Sequence, residues 1–72
     1  MTLEKVTVKK EEAAQKVIDI MNENERNMRY VSKHAKIPYG TLYDILVLKK
    51  YYFDQERLDA INKVFKTLLV LQ

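Results

Sequence analysis

From about Val8 the chain alternates apolar and polar positions with a helical period. Ala14, Val17, Ile18 and Met21 fall at i, i+3, i+4 and i+7 and make one apolar stripe. Thr7 is a candidate N-cap for this helix. Glu11 and Glu12 sit in its first turns, where the helix dipole favours acids. The polar stretch NENERN at 22–27 interrupts the pattern. A second, short helix then begins at Met28 with Asn27 as its cap, and turns Val31 and Ala35 inward with Met28 or Tyr30 beside them. It must stop at Ile37, because a residue before proline is pushed out of the α region. Pro38 suits the first turn of a third helix, where a missing N–H costs nothing. There Leu42, Ile45 and Leu46 form the buried set, with Tyr39, Gly40, Tyr43, Asp44 and Val47 on the opposite face. A fourth helix opens at Asp54 and is expected to span about residues 55–70. Its stripe is Leu58, Ile61, Phe65, Leu68 and Leu69, widened by Val64 and Leu71. The opening MTLEKVTV is β-branched with partial alternation, and reads as a short strand, an arm or a frayed end.

Length and composition narrow this picture. Seventy-two residues make one domain near the size at which a single apolar core suffices. With no cysteine, neither a disulfide framework nor a thiolate metal site is available. Self-association is then the most accessible extra source of stability. No basic segment followed by an apolar stretch opens the chain, and the longest apolar run, LLVL at 68–71, is too short to span a bilayer. A soluble cytoplasmic protein is expected.

The net charge of +3 is unevenly distributed. Residues 1–25 carry −2, residues 26–52 carry +5 and residues 53–72 balance. The middle third therefore points to an anionic partner, against the alternative of a solvated basic face.

The short helix, tight break and short helix across residues 27–46, NMRYVSKHAKIPYGTLYDIL, resemble the helix-turn-helix of the lambda-repressor/Cro-like DNA-binding proteins of phages and bacteria. Val31 and Ser32 stand where that family usually has Leu-Ala. Ile37 follows the turn, and Leu42 and Ile45 match the buried pair of its second helix. The tail FDQERLDAINKVFKTL is similar to the family's fourth helix. The likeness covers about residues 10–70, its specific part only about twenty. Three positions depart from the pattern. Lys36 stands where the turn commonly has Gly, Met28 where the first helix often begins with Gln, and VLKKYYFD has none of the usual Gly.

The resemblance implies an all-α fold, a compact four- to five-helix bundle containing a helix-turn-helix at about 27–47, with a short N-terminal strand or arm as an option. It implies a sequence-specific regulator, a Cro-type repressor of bacterial or phage origin, whose recognition helix at 38–47 enters the major groove. Tyr39, Gly40, Thr41, Tyr43 and Asp44 are the base-reading candidates. Tyrosine can exchange hydrogen bonds or pack on a thymine methyl, and Asp can accept from cytosine. None offers the bidentate arginine–guanine pairing, so apolar, water-mediated and shape-dependent readout are expected to weigh more. Asn27, Arg29, Lys33, Lys36, Lys49 and Lys50 are the phosphate candidates. The alternatives are semi-buried packing for the tyrosines and plain surface charge for the lysines.

Tyr51, Tyr52 and Phe53 could stack on unpaired bases, fill the gap before the last helix or join a dimer contact. Val64, Leu68 and Leu71 are candidate dimer residues, with closure of a small core as the even alternative. A homodimer would set two recognition helices one turn apart on a palindromic duplex. No cofactor, metal, membrane contact or small-molecule ligand is expected. His34 has no second ligand at metal spacing. Ser32 and His34, at i and i+2, point apart, and neither a carboxylate pair nor a phosphate-cradling loop is present, so an enzyme is not expected. An architectural DNA binder or recombination accessory factor would use the same surface. A protein-docking module would use the aromatic and apolar C-terminal half.

Overall fold

A computed structural model describes residues 5–72; Met1–Glu4, the start of the candidate arm, lie outside the described residues. The chain runs β1 (Lys5–Val8), α1 (Lys10–Glu23), α2 (Met28–Ala35), α3 (Tyr39–Leu46), α4 (Gln55–Phe65) and β2 (Leu68–Leu71). Four helices enclose one core, and the two strands pair in parallel at its side, Lys5 with Leu68 through Val8 with Leu71.

The helices begin for local reasons. Asn27 caps α2, its Oδ1 accepting from the Tyr30 N–H at 2.9 Å. Asp54 caps α4 in the same way, accepting from the Arg57 N–H at 2.8 Å. Thr7, expected to cap α1, instead belongs to β1, and Lys9 takes the N-cap position without a side-chain bond. The reason is tertiary. β1 finds a partner strand that a local reading of Thr7 does not include.

The helices also end in a common way. Glu25, Lys36, Lys49 and Lys66 all have left-handed φ angles of 53–57°: Lys36 and Lys66 are the C-caps of α2 and α4, and Glu25 and Lys49 lie within three residues of the ends of α1 and α3. The αL residue lets the last carbonyls be satisfied by backward N–H bonds, such as Arg26 to Met21 at 2.9 Å and Thr67 to Asn62 at 3.0 Å. Glycine normally fills such places. Here lysine or glutamate does, at a steric cost of about 1–2 kcal/mol each.

The core is drawn from every element. Val17, Val31, Leu42, Ile45, Leu46, Leu58, Ile61 and Leu69 are its largest fully buried side chains. The expected inward sets of α2 and α3 are buried. On α1 the stripe shifts, with Ala13 and Ile20 buried and Ile18 only half-buried.

The expected helix over residues 55–70 is corrected: α4 ends at Phe65, and Leu68–Leu71 is a strand. The cause is Asn62, the one buried polar residue among those described. Its Nδ2 donates to the Leu69 carbonyl and its Oδ1 accepts from the Leu69 N–H, each at 2.9 Å. Thr67 Oγ1 donates to the same Oδ1 at 2.9 Å. Gln55 Oε1 accepts from the Leu71 N–H at 2.8 Å. Two side-chain amides of α4 thus stand in for a neighbouring strand along the outer edge of β2, whose other edge pairs with β1.

Candidate nucleic-acid interface

α2 and α3 are joined by Lys36, Ile37 and Pro38 alone. Lys36 is left-handed at φ 57°, which reverses the chain sharply, and its N–H donates to the Ser32 carbonyl. The same carbonyl accepts from the Ile37 N–H at 3.2 Å, while Ser32 Oγ donates to the Ile37 carbonyl at 2.6 Å. Ser32 therefore closes the turn from both sides, a role that its small size alone did not signal in the sequence. Ile37 is buried beneath the turn, and Pro38 precedes the first turn of α3, its carbonyl accepting from the Leu42 N–H at 2.9 Å.

α3 buries Leu42, Ile45 and Leu46 and exposes Tyr39, Gly40 and Tyr43. The two tyrosines, one turn apart, lie with ring centroids 6.5 Å apart and planes 25° from parallel. Nothing lies within 4 Å of where a Cβ on Gly40 would stand, so the space beside it is open. Thr41 and Asp44 are half-buried. Thr41 turns toward the following segment, where it lines a groove of about 520 Å³ with Ile45, Lys50, Tyr51, Tyr52, Asp54 and Arg57. The five base-reading candidates thus divide into an exposed trio and two residues at its margin.

Asn27, Arg29, Lys33, Lys36, Lys49 and Lys50 are all exposed. Asn27 spends its side-chain oxygen on the cap. Among the described residues the Met28 and Arg29 N–H groups find no intramolecular acceptor, as is usual for a helix start. Arg29 and Lys33 share one face of α2 at i, i+4. The only ion pair among the described residues is Asp54–Arg57 at 3.6 Å, so none of the five cations has a carboxylate partner. Lys36 differs from the rest in lining a groove whose α4 wall carries Glu56, Asp59 and Lys63.

A second column joins Arg26, before α2, to Tyr30 and His34 on it. The Arg26 guanidinium lies 4.5 Å from the Tyr30 ring centroid, and the Tyr30 and His34 rings are 4.2 Å apart. No group of three or more His, Asp or Glu among the described residues is placed to hold a metal ion.

After α3 the chain presents Val47, Leu48, Tyr51 and Tyr52 to solvent, Tyr51 at 60 % exposure. Of the aromatic trio only Phe53 fills the interior, at 3 %. Tyr52 instead receives Lys10 Nζ of α1, 5.4 Å from its ring centroid. Leu48 was not legible as an exposed residue, since its phase after Leu46 depends on where α3 unwinds.

The candidate dimer residues differ in exposure. Val64 and Leu71 pack against the core, whereas Leu68, one face over from Leu69 in β2, points outward. No described helix is long and apolar enough to cross a membrane. No family model matches the chain, and neither a curated protein nor a solved structure matches it.

Proposed function

We propose that the chain binds double-stranded DNA in a sequence-specific manner as a small transcriptional regulator of the Cro repressor type. On this reading α2 and α3 are a helix-turn-helix, with α3 in the major groove. The observation that carries it is the α3 face: two exposed tyrosines and an open glycine, flanked by the unpaired cations Arg29, Lys33, Lys49 and Lys50. A Gly at the second helical position lets the backbone approach base edges, and the tyrosine rings supply apolar and hydrogen-bonding contacts to them. The cations and the free N–H groups at the start of α2 would hold phosphates and fix the register. Lys36 contributes least, since it faces the α4 groove, whose wall carries Glu56 and Asp59 against Lys63.

A protein-docking role is the second reading, favoured by the apolar exposure of Val47, Leu48 and Tyr51. An architectural DNA binder would share the α3 surface.

Affinity for random duplex and for DNA flanking the chain's own gene, measured across salt concentrations, separates the three. A steep log–log slope with at least about a hundredfold preference for one site supports the regulator. Equal, salt-sensitive binding to both supports the architectural role. No binding at about 50 mM salt, where phosphate contacts are strongest, sinks the DNA reading and leaves docking.

A further inference from the structure

The two edges of the small sheet are treated differently. The outer edge of β2 is closed by Asn62 and Gln55. The outer edge of β1 has no partner among the described residues. Gln72 N–H donates to the Val8 carbonyl at 2.9 Å, which fixes the phase of the parallel ladder. Val6 and Val8 direct their backbone groups toward β2, and Lys5 and Thr7 direct theirs outward. Beside that edge runs a groove of about 400 Å³ between β1 and α1, with Glu12, Gln15, Lys16 and Asp19 on its α1 wall.

We infer that the outer edge of β1 pairs antiparallel with β1 of a second copy of this chain, making one four-stranded sheet across a two-fold axis at Val6. Three features favour a second copy as the occupant. With Val6 opposite its own counterpart, Lys5 faces Thr7 of the other copy, so outward-directed groups meet and like charges do not. The alternative register centred on Thr7 would set Lys5 against Lys9. Val6 is half-buried on the core side of the sheet and gains an apolar neighbour on the axis. Two parallel strands of four residues are also a minimal sheet, whereas four strands reach ordinary size. This pairing stands on the sheet edge and not on the DNA reading. A DNA-binding monomer would refute the pairing alone, and a dimer that ignores DNA would refute the DNA reading alone.

The test is sedimentation equilibrium of the full chain without DNA, at high micromolar concentration. A concentration-dependent dimer is expected. Thr7→Pro removes only an outward N–H, which an edge strand tolerates, and should weaken association about tenfold with an unchanged circular dichroism spectrum. The chain has no cysteine, so Val6→Cys places one thiol per copy on the axis, within disulfide range of its counterpart at about 4.5 Å between Cα atoms. It should cross-link on oxidation. Leu68→Cys, more exposed but separated from its counterpart by roughly 14 Å, should not. A chain monomeric throughout overturns the inference. So does a dimer that a folded Thr7→Pro leaves intact, or equal cross-linking through residues 6 and 68.

Discussion

Lys36 and Lys49 occupy left-handed positions where a β-carbon is crowded, one on each side of the helix that carries the candidate site. Lys36→Gly or Lys49→Gly relieves that crowding but adds unfolded-state entropy, so a net stabilisation of about 0.5–1 kcal/mol is expected in urea unfolding. The two should differ in DNA affinity. Lys49→Gly removes an unpaired cation and should lower the log–log salt slope by about 1, whereas Lys36→Gly should change it less, because Lys36 faces the α4 groove, whose wall carries Glu56 and Asp59 against Lys63. Gly40 poses the reverse case. Its open surroundings accept a methyl group, and alanine is the better helix former, so Gly40→Ala should keep or raise stability by up to about 1 kcal/mol. If α3 reads bases through close backbone approach, the same change should reduce preference for the specific site without altering binding to random duplex. A fold that tolerates the methyl while specificity drops would assign Gly40 to recognition. An unchanged site preference would remove it from the interface.

At the level of elements, α4 and β2 depend on one side chain. Asn62→Ala strands the N–H and carbonyl of Leu69, both buried in the seam, at an expected cost of about 2–4 kcal/mol. Amide exchange should show protection lost first at Leu69 and Leu71, with α2 and α3 retained. Ser32→Ala should cost about 1 kcal/mol through its bond to the Ile37 carbonyl. α2 and α4 were readable because an apolar period follows a capping residue, Asn27 or Asp54; α3 was readable from its period after Pro38, and α1 from its period alone, since Thr7 is not its cap. The inward sets Val31–Ala35 and Leu42–Ile45–Leu46 were readable for the same reason. β2 was not. Leu68 and Leu69 fall in helical phase with Leu58 and Ile61, and four successive apolar residues suit a buried strand as well as a helix. What decides is the Asn62 amide meeting a backbone seven residues away, a bond that periodicity cannot register. The candidate surface divides likewise. The exposed Tyr39, Gly40 and Tyr43 follow from helical phase, but the position of Lys36 at the α4 groove and the role of Ser32 are tertiary facts.

Among the described residues, net positive charge and the exposed large apolar side chains other than Leu68 are gathered on the stretch from α2 to the loop after α3. Arg29→Ala and Lys33→Ala, one turn apart on α2, should each weaken binding to all duplexes alike and each reduce the salt slope by about 1. Tyr43→Ala should instead cost affinity at the specific site only, as read by competition between that site and random duplex. The pairing of β1 with β2 has a further consequence, for the order in which the molecule is completed. Lys5 and Leu68 are partners 63 residues apart. At ordinary rates of synthesis the first strand leaves the ribosome roughly 3–13 s before the residues it pairs with. All four helices are translated in that interval, before the strand that completes the sheet. The last strand to arrive joins the beginning of the described chain to its end, like a clasp fastened after the bracelet has been shaped.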